Sequence, residues 1–117
     1  MPATTDFSLT PAAFQVLLSL ASGTTHGYAV MREVEEVTGG TMRLGPGTLY
    51  RTIGRLLGDG LIEEVDDGSE TDAPHDARRR RYRLTSLGQA VAQREAEGMA
   101  RLVDRARAVG LLPSDAT

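Results

Sequence analysis

The 117-residue chain contains no cysteine, no tryptophan and no lysine. Without cysteine it has no disulfide, no thiolate metal site and no cysteine nucleophile. Aromatic residues make up only 4% of the chain and none is an indole, so a pocket for flat aromatic ligands has no tryptophan to stack on. No apolar run approaches the roughly 20 residues of a membrane span. The opening stretch from Met1 to Phe7 lacks the basic and apolar regions of a secretion signal, and the expectation is a cytoplasmic protein with no membrane partner. Catalytic patterns are missing as well: there is no Ser-His-acid set, no phosphate-binding glycine loop and no carboxylate pair inside an apolar segment. The expectation is therefore no enzyme and no cofactor. His26 and His75 are the only histidines. The Asp72 to Asp76 run around His75 offers oxygen and imidazole ligands, but no second cluster completes a site, and it is read as solvated polar loop rather than as metal centre.

At this length the chain holds one compact domain, large enough for a three-helix core and too small for a separate catalytic domain beside it. Its formal net charge of −3 hides a strong division: −3 over residues 1–40, +2 over 41–60, −7 over 61–77, +5 over 78–84 and zero over 85–117. All 13 basic residues are arginine. Arginine suits bidentate contacts to phosphate or guanine, although a codon preference explains the missing lysines better.

The positive segments coincide with a distinctive pattern. From Pro46 to Leu57 the apolar residues Leu49, Tyr50, Ile53, Leu56 and Leu57 recur at helical spacing, which leaves Thr48, Arg51, Thr52 and Arg55 on the outer face. Gly58 and Gly60 flank Asp59 in a tight reversal, Leu61 to Val65 reads as a strand, and Arg80 to Leu84 returns with Tyr82 and Leu84 on one face and Arg81 and Arg83 on the other. A helix with arginines outward, running into a basic hairpin, is the plan of a winged helix-turn-helix, and the partner it implies is double-stranded DNA. The acidic, proline-containing loop from Asp66 to Ala77 is expected to be mobile, with a tip that stays off DNA.

Elsewhere Thr10 and Pro11 open a first helix to Ala21, apolar on most sides. A second helix is expected from about His26 to Val37, with Tyr28, Ala29, Met31, Val34 and Val37 inward, stopped by Gly39 and Gly40. Thr85 or Ser86 caps a long last helix to about Val109. Its stripe of Leu87, Val91, Leu102, Ala106 and Val109 exceeds what a small core covers, and Phe14 and Leu18 of the first helix are expected to meet it from a second copy. The fold class is mainly α with a small β-hairpin: a winged helix-turn-helix over residues 9–85 and a dimerisation helix over 86–110.

The segments Leu9 to Leu20, His26 to Val30, Gly45 to Ile62 and Arg80 to Gly88, in that order, resemble the PadR family of transcriptional regulators over about residues 9 to 90. The resemblance implies a homodimeric DNA-binding protein held together by its last helix. It also implies a repressor on an inverted-repeat operator, which in some members releases DNA on binding a small molecule. The effector here, if any, is unknown. The single C-terminal helix resembles the short subgroup. Family members that bind flat drugs use a tryptophan on the last helix, and this chain departs from them.

Individual residues carry alternatives. Tyr50 reads equally as a DNA contact through its hydroxyl and as a core ring with that hydroxyl at the edge. Gly27 and Tyr28 start a helix whose amides could hold phosphate, or they form a tight packing turn. Thr48 reads as a helix cap before a DNA contact. One or two arginines of the Arg78 to Arg81 run are expected to neutralise acids between Glu63 and Asp76 across the hairpin, leaving Arg83 for phosphate. The rival function is a winged-helix adaptor for protein contacts alone, which has no use for Arg51, Arg55 and the 78–83 cluster on one surface.

Overall fold

A computed structural model describes residues 9–65 and 80–113. The Asp66 to Ala77 loop, Arg78, Arg79 and the His75 cluster lie outside the described residues. Thr10 caps α1 (Pro11–Ala21): its side chain accepts from the Ala13 amide at 3.0 Å, and Pro11, which has no amide hydrogen to leave unpaired, takes the first helical position. A two-residue strand, β1 (Thr25–His26), leads directly into α2 (Gly27–Val37). Then follow α3 (Pro46–Gly58), β2 (Ile62–Val65), β3 (Arg81–Leu84) and α4 (Ser86–Ala108).

The three strands form one antiparallel sheet in the order β1-β3-β2. The expected hairpin is thus joined by a third strand, and α2 begins one residue later than the sequence predicts. Two residues are too few to show an alternating pattern, so β1 leaves no periodic signal. Its pairing of Thr25 with Tyr82 and His26 with Arg81 fastens the wing to the start of α2.

The core joins Val16, Leu17 and Leu20 of α1 to Val30 and Val34 of α2, Leu49, Ile53 and Leu56 of α3, and Leu61, Ile62 and Tyr82 of the wing. Full burial of each large aliphatic side chain contributes roughly 1.5–3 kcal/mol. The inward face of α2 differs from the expected one. Gly27, Val30 and Val34 are buried, whereas Tyr28, Ala29 and Val37 are exposed and Met31 is half-buried. The buried positions lie three and four apart, and the apolar residues around them mislead: Tyr28, Ala29 and Val37 are left to solvent. Between α1 and α2 the buried Ser19 hydroxyl donates to Glu33 Oε1 at 2.6 Å.

Gly60, at φ +76°, turns the chain out of α3, and the Leu61 amide donates back to the Leu56 carbonyl at 3.0 Å. Thr85 ties this turn to α4: its hydroxyl donates to the Gly60 carbonyl at 2.6 Å and accepts from the Gly88 amide at 3.0 Å, while its own amide donates to the Leu61 carbonyl at 3.1 Å. At 23 residues α4 is about 34 Å long. No helix among the described residues is long and apolar enough to cross a membrane.

Candidate nucleic-acid interface

On α3, Leu49, Ile53 and Leu56 are buried and fix the helix by one side. The opposite side presents Thr48, Arg51 and Arg55 to solvent, with Thr52 half-buried at the edge. Thr48 is not the cap expected of it. Gly45 holds the cap position, and the Thr48 hydroxyl lies within 3.4 Å of Arg51 Nη2, which donates to it. A cleft of about 190 Å³ runs beside this face, between Thr10 and Ala13 of α1 and Arg51, Thr52 and Arg55 of α3.

Tyr50 is half-buried, and its hydroxyl covers Gly27: a β-carbon there would sit 3.0 Å from the Tyr50 oxygen. Gly27 is itself buried, so of its two readings the packing one describes its place, and Gly27 is withdrawn from the DNA-facing set. Its role is to seat the ring that links α3 to α2. Tyr28 is 49% exposed at the start of α2 and remains on the surface.

The wing carries its charges on two faces. Register pairs Ile62 with Leu84, Glu63 with Arg83, Glu64 with Tyr82 and Val65 with Arg81. Ile62 and Tyr82 point into the core, so Glu63, Arg81 and Arg83 share the outer face. Arg83 is not left over, as the sequence suggests: its Nε donates to Glu63 Oε2 at 2.6 Å. Arg80 lies 3.7 Å from Glu64, beside Tyr82. Burial raises the Tyr82 phenol above its ordinary value, with Glu64 adding to the rise and Arg80 opposing it. In the sequence Glu63 and Glu64 stand out only as part of a diffuse acidic stretch. Aligning apolar Ile62 against apolar Leu84 is the signal that brings Glu63 opposite Arg83.

The surfaces expected to meet a second copy divide. Leu18, Leu102 and Val109 are exposed, and Leu87 and Ala106 are half-buried. Phe14 and Val91 are buried in the single chain, at 7% and 8% exposure, which removes them from the partner-facing set. The first turns of α4 spend their stripe on the chain's own core. Among the described residues no group of three or more His, Asp or Glu side chains could hold a metal ion.

Comparison with known proteins agrees with the fold. The Transcriptional regulator PadR-like family matches residues 16–94. A protein of Streptomyces fradiae, described as an uncharacterized 37.1 kDa protein in transposon TN4556, is 38% identical over 94 residues, covering 80% of this chain. The chain spans only 24% of that relative's length. A PadR family transcription regulator from Clostridium difficile superposes with a TM-score of 0.68 at 19% identity, over 88% of this chain and 100% of that one, a likeness of fold. The PcaV transcriptional regulator of Streptomyces coelicolor, solved with its natural ligand, gives 0.68 at 27% identity over 92% of this chain and 65% of that one.

Proposed function

The chain belongs to the PadR-like family of transcriptional regulators, non-enzymatic DNA-binding proteins, and from that premise we propose that it is a homodimeric repressor of an inverted-repeat operator. In this reading residues 9–85 form the DNA-binding unit and 86–110 the dimerisation helix. α3 enters the major groove with Arg51 and Arg55 toward base edges or flanking phosphates, Thr48 and Thr52 beside them, and the Tyr50 hydroxyl at the margin. Tyr28 and the outer face of the wing, with Arg81 and Arg83, lie along the backbone.

The observation that carries the reading is the division of α3 into a buried aliphatic side and a solvent side bearing two arginines four residues apart. Arginine projecting from a helix held by its opposite face can reach guanine or phosphate without disturbing the core. The test is selection of bound sequences from random duplex DNA, followed by titration of the Arg51→Ala and Arg55→Ala variants on the selected site. Removing an arginine that reads a base edge in bidentate fashion costs about 1–3 kcal/mol and relaxes preference at one base pair, whereas removing one that meets a phosphate weakens all sequences alike. Selected sites should be inverted repeats, and a reporter behind them should be silenced. Selected DNA without two-fold symmetry, or unchanged affinity in both variants, refutes the reading.

A further inference from the structure

The outer face of the wing brings one carboxylate and two guanidinium side chains together. Cross-strand register sets Glu63 opposite Arg83 and Val65 opposite Arg81, and among the described residues of the two strands Glu63 is the only acid on that face. The contact between Glu63 Oε2 and Arg83 Nε is 2.6 Å, short even for a charge-assisted bond. Both side chains are nevertheless solvent-accessible, at 47% and 56%. Water and salt therefore reach the pair, and little opposes exchange of one anion for another.

We propose that Glu63 occupies in the free protein the place that a DNA phosphate takes on Arg83 in the complex, so that Glu63 sets the affinity of the wing contact. This rests on the reading of the wing given above. A carboxylate and a phosphodiester present the same kind of oxygen to the guanidinium fork, and the single Nε hydrogen cannot be given fully to both. Binding at the wing is then an exchange in which Arg83 leaves Glu63 for the backbone. The Arg80–Glu64 pair is built differently. It is longer, at 3.7 Å, and Glu64 stands opposite the core-directed Tyr82 rather than on the outer face.

A double-mutant cycle on the selected operator tests the exchange, with the full chain and with thermal unfolding to establish that each variant folds. Glu63→Gln keeps the size of the side chain, removes the competing charge and is expected to tighten DNA binding about two- to fivefold, the strength of an exposed ion pair. In an Arg83→Ala background the same substitution relieves only the general repulsion between Glu63 and phosphate, and the gain should be clearly smaller. Equal or larger gain without Arg83, or no gain with it, overturns the exchange. Arg83→Ala alone should weaken binding. If it does not, the phosphate reading of the wing falls and the exchange with it, whereas a weakened Arg83→Ala beside an inert Glu63→Gln overturns the exchange alone.

Discussion

Tyr82 stands at the centre of β3 with its ring in the core, and burial raises its phenol above 10.0, helped by Glu64 and opposed by Arg80. The folded state therefore holds the phenolic proton more firmly than the unfolded chain does. Its contribution to stability is intact below about pH 10 and is lost as pH rises through the folded value. The chain contains neither lysine nor cysteine, so no side-chain amine or thiol titrates alongside Tyr82 between about pH 9 and pH 11. Urea unfolding across that range should show stability falling as pH rises, with a shallower fall in Tyr82→Phe. An unchanged slope would place the alkaline loss elsewhere. Arg83 shows what single residues conceal in a sequence. Its basic character is plain, but its partner depends on strand register, and the two strands are too far apart in the sequence for a two-residue turn signal to fix that register.

At the scale of elements, the junction between the α3–β2 turn and α4 is packed main chain against main chain at Gly88. A β-carbon on Gly88 would lie 2.8 Å from the Leu61 carbonyl carbon and closer still to its oxygen, both main-chain atoms that cannot rotate aside. Gly88→Ala should cost about 1–3 kcal/mol or more by forcing α4 off the turn and breaking the Thr85 hydrogen bonds that bridge it. Calorimetry or denaturant unfolding checks this; an alanine variant as stable as the parent would show that the seam has slack. The elements differ in how readily they can be read. α1, α3 and α4 are legible because a cap or proline marks each start and a regular apolar stripe marks the buried side of α3. On α2 the stripe is short, and Gly27, which contributes to the buried side, has no side chain to announce it. β1 owes its existence to the neighbouring β3 edge, a tertiary cause outside its own two residues.

At the scale of the whole molecule, α4 carries one apolar stripe with two destinations. Leu87, Val91 and Ala92, in its first turns, pack on the domain's own core. Met99, Leu102, Val103 and Val109 continue along about the same third of the helix circumference but are 39–71% exposed. Leu111 and Leu112 beyond the helix, at 78% and 40%, extend the apolar surface, and Leu18 at 45% lies on α1, which packs against α4. In the homodimer proposed above, this apolar seam faces the same seam of a second copy across a two-fold axis. Such a dimer sets two α3 helices about one DNA turn, roughly 34 Å, apart, so dimerisation and recognition of an inverted repeat stand or fall together. Leu102 is the sharpest probe because it is 71% exposed in the single chain. Leu102→Asp therefore leaves the fold of each copy intact while burying a carboxylate in the seam. Sedimentation should give twice the 12.5 kDa chain mass for the parent and the single mass for the variant. The variant should retain weak, salt-sensitive binding to any duplex and lose its preference for the operator. A variant that stays dimeric and keeps operator affinity, or a parent that binds the operator fully as a monomer, would remove α4 from the assembly and require another face to set the spacing of the two half-sites.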